Sequence, residues 1–130
     1  MAEALMRDET LTGREIGSWT LPGLPEQITA RELLQLRVRE EVARFNATRN
    51  DLFRGLVRPA AATETPHGFR MPGGDRVDWE AQADAACAAF ARNGFVMLTG
   101  DRQIEDLGEL IDLRRDNEIS FIRLIPLVGG

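Results

Sequence analysis

A chain of 130 residues, 43% hydrophobic and 28% charged, has the composition of a soluble globular protein and enough length for one modest core. A net charge of −5 argues against a nucleic-acid-binding surface. No run approaches the roughly 18 apolar residues of a membrane span, and a single cysteine excludes an internal disulfide. Met1-Ala2-Glu3-Ala4-Leu5 lacks the basic start and apolar run of a signal peptide, so the expected location is the cytoplasm.

The predicted elements begin with a hairpin: a strand over Leu5–Leu11, a turn at Thr12-Gly13, and a second strand over Glu15–Leu21 that Pro22-Gly23 and Pro25 break. Thr29-Ala30-Arg31-Glu32 is a capping box that opens a helix of about four turns. Leu34, Val38, Val42 and Phe45 form its apolar stripe. Arg37, Arg39, Glu40, Glu41 and Arg44 read as its solvated face. Asp51–Val57 reads as a short helical turn, and Arg58–Asp75, with three prolines and three glycines, as a loop holding a surface His67.

A second helix is expected from its N-cap Asp78 to Asn93, with Gly94 as the stop. Trp79, Ala83, Ala86, Cys87 and Phe90 are its predicted buried stripe. Cys87 has no neighbour in sequence that would lower its pKa, so it reads as a core residue. Phe95–Thr99, a Gly100-Asp101 turn and Arg102–Ile104 form a second predicted hairpin. Glu105–Leu113 reads as a helical turn or irregular segment with Leu107, Leu110, Ile111 and Leu113 facing the core. After a turn at Asp116-Asn117, Glu118–Pro126 is the strongest strand, apolar toward both faces as in a covered central strand. The chain then runs Pro126-Leu127-Val128-Gly129-Gly130, and two residues without a Cβ can thread a narrow channel.

This order, ββ(α)ββ(α)β, is α+β and reads as a β-grasp: a mixed ubiquitin-like sheet around one helix. It predicts a single domain over residues 1–130, with residues 46–93 inserted and 126–130 as a flexible tail. Leu113-Arg114-Arg115-Asp116-Asn117-Glu118-Ile119 and the Pro126–Gly130 tail resemble the last third of the molybdopterin and thiamine sulfur carriers and of the bacterial ubiquitin-like modifiers ending in Gly-Gly. Residues 29–36 resemble the start of that family's first helix, whereas the insertion has no counterpart in it.

The resemblance implies a substrate rather than an enzyme, with Gly130 and Gly129 as the activated and attached end. It implies an ATP-dependent adenylating enzyme as partner, with Leu124, Pro126, Leu127 and Val128 as the recognised tail residues. In a modifier, a conjugating enzyme and a deconjugating peptidase follow, and the target is unnamed; bacterial pathways of this kind are tied to phage defence. A sulfur carrier would instead form a C-terminal thiocarboxylate, and a non-covalent β-grasp interaction module would use no covalent chemistry. No catalytic constellation, metal-ligand pattern, cofactor motif, nucleic-acid partner or membrane partner is expected from the residues. All 16 basic residues are arginine, so no side-chain amine is present to accept an isopeptide bond; a GC-rich genome gives the same composition.

Overall fold

The computed structural model describes residues 1–48 and 50–124. The fold is α+β, with strands β1 (Ala2–Glu9), β2 (Glu15–Leu24) and β3 (Gln27–Thr29), helix α1 (Ala30–Asn46), then β4 (Leu52–Phe53), β5 (Thr63–Thr65) and β6 (Gly68–Arg70). Helix α2 (Trp79–Ala91) follows, and then β7 (Phe95–Thr99), β8 (Arg102–Ile104), β9 (Leu110–Asp112) and β10 (Glu118–Arg123). The chain divides into two compact units. One comprises Met1–Leu33 with the described residues from Phe90 onward, and the other is Leu34–Ala89.

The first unit is built on a five-stranded mixed sheet in the order β2-β1-β10-β7-β8. β1 runs parallel to β10, with Met6 opposite Ile119, and the other neighbours are antiparallel. One face is the core: Ala4, Met6, Met97, Ile104, Ile119 and Phe121 are each at most 1% exposed. The other face of β10 is only half-buried at Ser120 and Ile122, so this central strand is not covered equally on both sides as its apolar run suggested.

Two local expectations in this unit are corrected. β2 continues through Pro22-Gly23 to Leu24, because a bulge opposite Ala2–Ala4 absorbs the irregularity. Gly23 takes φ +72°, which glycine tolerates without strain. The segment after Ile104 contains β9, which pairs with β3, and its Leu110 is 57% exposed rather than facing the core. Leu107, Ile111 and Leu113 are buried as expected.

That segment wraps the start of α1. The N–H of Ala30 donates to the Glu109 carbonyl and that of Arg31 to the Leu107 carbonyl, each at 2.9 Å. The Thr29 hydroxyl accepts the Glu32 N–H at 3.1 Å. Donors that a helix start leaves unpaired are thus satisfied from outside the helix.

Glu109 organises the same turn. Its carboxylate accepts the N–H of Glu105 at 2.7 Å and of Asp106 at 3.2 Å, and pairs with Arg102. The Glu105 N–H bond, helped by Asp106 and Arg102 against the cost of desolvation, holds its pKa below the ordinary value. A carboxylate shifted down stabilises the fold above its unfolded pKa, about 4.3, and loses that contribution as pH falls through the lower folded value. The protection of the Glu105 and Asp106 amides, measured against their intrinsic exchange rates, is therefore expected to fall in that acid window. In Glu109→Gln that protection is expected to be lower already at neutral pH, with no further loss in the acid window.

Thr99, on the core face of β7, is 2% exposed, and its hydroxyl has no hydrogen-bond partner among the described residues. A buried hydroxyl without a partner costs about 1–3 kcal/mol. Thr99→Val is expected to raise unfolding free energy by about 1 kcal/mol, read as a higher urea midpoint at unchanged slope.

The second unit packs α1, from Leu34 onward, with the three-stranded sheet β4-β6-β5 and with α2 as far as Ala89. Leu34, Val38 and Val42 are buried as the stripe required, and Phe45 meets Phe53 edge-on at 5.4 Å. Leu52-Phe53 is a strand rather than a helical turn, paired with Phe69-Arg70. The predicted loop holds β5 and β6, whose short antiparallel pair turns at Pro66-His67. His67 is exposed.

Arg37 also departs from the expected solvated face. It is 1% exposed, and its Nε donates to Glu41 Oε1 at 2.5 Å. The second Glu41 oxygen accepts the Leu56 N–H at 3.2 Å. Gly55 sits against this pair so closely that a Cβ there would collide with the Phe53 ring and the Glu41 carboxylate.

In α2 the buried residues are Gln82, Ala83, Ala86 and Ala89. Cys87 and Phe90 are half-buried, and Trp79 is 39% exposed with the Arg39 guanidinium 5.6 Å from its ring centre. The stripe is rotated toward Gln82, which is buried with its amide donating to the Val57 carbonyl. Asp78 caps the start, its carboxylate accepting the Glu80 N–H at 3.2 Å. Asn93, not Gly94, takes the left-handed conformation at the stop, with φ +61°.

Candidate functional site

The predicted site is the end of β10 and the tail behind it. β10 is held on both sides: Arg7 lies opposite Ser120 on β1, and Val96 opposite Ile122 on β7. Beneath it, Phe121 is 1% exposed and lies 6.3 Å from the ring of Phe95, which in turn meets Phe90 at 5.9 Å. These rings fix the strand's last residues against the core.

Leu124 is half-buried, and its N–H donates to the Gly94 carbonyl at 3.2 Å, one residue beyond the final ladder pair Arg123–Phe95. Of the predicted tail residues, Leu124 is the one placed. Pro126, Leu127, Val128, Gly129 and Gly130 lie outside the described residues.

The half-buried sheet face beside this exit combines an apolar strip with charge. Ile122 on β10 and Val96 and Leu98 on β7 form the strip by register. On β1, Arg7 pairs with Glu118 at 3.0 Å and with Glu15 at 3.2 Å. The Ser120 hydroxyl donates to Glu9 at 3.2 Å. Arg7 and Glu15 meet within the β1–β2 hairpin. Sequence reasoning missed the Arg7–Glu118 and Ser120–Glu9 contacts because each joins residues from opposite ends of the chain. Only the parallel β1–β10 register brings them together. Once that pairing is assumed, the period-two alternation of Leu5, Arg7 and Glu9 gives their face.

Among the described residues no group of three or more His, Cys, Asp or Glu side chains is placed to hold a metal. Asp112 is held below its ordinary pKa by the Arg114 hydrogen bond at 3.1 Å, and Arg114 is raised by the same contact. Asp112 ends β9, and Arg114 lies in the exposed turn that follows it. No described helix is long and apolar enough to cross a membrane. No protein-family model, curated protein or solved structure significantly matches the chain.

Proposed function

We propose that the chain is a β-grasp, ubiquitin-like modifier whose Gly130 carboxylate is activated by an ATP-dependent adenylating enzyme and passed to a target. It is then a substrate of that pathway rather than a catalyst. The observation that carries this reading is the position of β10, central in the sheet and parallel to β1, directly ahead of a Pro-Leu-Val-Gly-Gly tail. A central strand is the most firmly held element of such a sheet, so it presents the tail from a fixed point. Support also comes from the capped α1 start that follows the hairpin.

The chemistry needs nothing from the side chains. A carboxylate oxygen of Gly130 attacks the α-phosphorus of ATP and pyrophosphate leaves, giving an acyl-adenylate. An enzyme nucleophile then takes the acyl carbon and AMP leaves. A conjugating enzyme hands the acyl group to the target, and a peptidase can remove it. The chain lacks lysine, so self-conjugation through a side-chain amine is closed to it. Bacterial conjugation pathways of this type, including those of phage defence, are the proposed setting.

Incubation with a cognate adenylating enzyme, ATP and a cell extract, followed by intact-mass measurement, tests the reading. An AMP adduct or a target conjugate is expected for wild type and neither for a Gly130 deletion. A terminal thiocarboxylate would instead make the chain a sulfur carrier, and identical behaviour of the two proteins would leave only non-covalent binding. The mass of the protein isolated from its own cell shows directly whether the Gly130 carboxylate is free. An anchoring side chain at an interface is worth about 2 kcal/mol or more. Leu127→Asp is therefore expected to weaken activation roughly thirtyfold or more with unchanged melting.

A further inference from the structure

The stop of α2 carries chemistry that the tail reading does not use. Asn93 leaves the helix with φ +61°, a conformation uncommon for a residue with a side chain. Its N–H donates to the Phe90 carbonyl at 3.1 Å, which fixes the backbone on that side. The other side is unencumbered. Asn93 is exposed, and among the described residues neither its side-chain amide nor the Gly94 N–H makes a hydrogen bond. The chain's other asparagines, Asn46, Asn50 and Asn117, precede Ala47, Asp51 and Glu118; this one precedes glycine.

A peptide nitrogen that follows asparagine is a latent nucleophile, and glycine offers no Cβ to hinder its approach. We infer that Asn93-Gly94 is a self-modification site, converting to aspartyl and isoaspartyl forms and thereby loosening the end of β10. The Gly94 nitrogen attacks Asn93 Cγ, the N–Cγ bond forms and the Cγ–Nδ2 bond breaks. The Gly94 N–H proton leaves with the amide as ammonia, and a five-membered succinimide remains. Water then opens the ring. Attack at Cγ gives aspartate; attack at the backbone carbonyl gives isoaspartate, with the main chain routed through Cγ. The balance is ammonia out and water in, with no oxidant or enzyme required.

The position makes the change consequential. Isoaspartate inserts an extra methylene into the backbone immediately before Gly94. The Gly94 carbonyl is the acceptor for the Leu124 N–H, and the next residue, Phe95, pairs with Arg123. Lengthening the chain there displaces the acceptor that holds the last described residue of the β10 segment.

The full chain, incubated at mildly alkaline pH, is mapped by fragmentation that separates aspartyl from isoaspartyl peptides. Hydrogen exchange at the Leu124 amide is followed on the same samples. Conversion at Asn93 is expected about tenfold or more ahead of Asn46, Asn50 and Asn117, the factor given by a barrier lower by about 1.4 kcal/mol. Leu124 exchange is expected to rise with the isoaspartyl fraction. Gly94→Ala is expected to slow conversion by a similar factor. Asn93→Gln, which moves the amide one carbon away, gives the same expectation should Gly94→Ala not fold. Asn93 converting no faster than the other three, or both variants converting at the wild-type rate, overturns the site. Unchanged Leu124 exchange in converted protein overturns the link to β10.

Discussion

Arg37→Ala is expected to destabilise the Leu34–Ala89 unit by about 3–5 kcal/mol, the usual cost of removing one partner of a buried ion pair. The partners are almost fully enclosed, with side-chain exposures of 1% for Arg37 and 10% for Glu41. Removing the guanidinium strands a carboxylate that burial then penalises. The loss is larger than for an exposed helix pair such as Glu40–Arg44, which contributes about 0.3–0.5 kcal/mol. Arg37→Met combined with Glu41→Gln removes both charges and keeps an acceptor for the Leu56 N–H. That double variant is expected to recover most of the loss. Urea unfolding of wild type, both singles and the double gives the coupling directly. A single variant as stable as wild type would show that the pair is not buried in solution.

Phe121→Ala is expected to cost about 3–5 kcal/mol in the other unit, as for large aromatic truncations in packed cores. Phe121 is 1% exposed on the central strand and is stacked toward Phe95. No neighbour can fill its place without shifting β7 or β1, because both are tied to β10 by backbone ladders. Ile122→Ala, on the half-buried face of the same strand, is expected to cost clearly less. Thermal unfolding that loses equal stability in both variants would contradict the assigned faces.

What was legible in the residues was what is decided locally. Thr29 and Glu32 announce the start of α1, and Gly100-Asp101 announces the β7–β8 hairpin, because caps and tight turns are set by neighbours in sequence. Leu52, Phe53 and Leu56 were misread because their spacing imitates a helical turn. Their true partner, Phe69-Arg70, is distant in sequence. Pro22-Gly23 was misread because a strand can absorb such a pair in a bulge when its neighbour holds on both sides.

Arg37 was legible and was missed. Leu34, Arg37, Val38, Glu41 and Val42 share one helix face at spacings of three and four. Residue type outweighed angle. Near the candidate site, the strand that ends at Arg123 followed from the apolar run of β10. The Arg7–Glu118 and Ser120–Glu9 contacts required the parallel register, which no short-range pattern encodes.

The divided connectivity has a consequence for how the molecule is made. Leu34–Ala89 is continuous in sequence, whereas the other unit waits for residues beyond Phe90. During synthesis β1 and β2 emerge as an isolated hairpin, which is marginal in water. Met6 meets Ile119 only after everything between them has left the ribosome, and such long-range parallel closure is slow. The expected order is the Leu34–Ala89 unit first and the five-stranded sheet after it, completed by the seating of β10. Under the proposed function this ties chemistry to maturation: the strand that completes the sheet also carries the reactive end. A partner that recognises the seated strand would activate finished molecules and pass over unfinished ones.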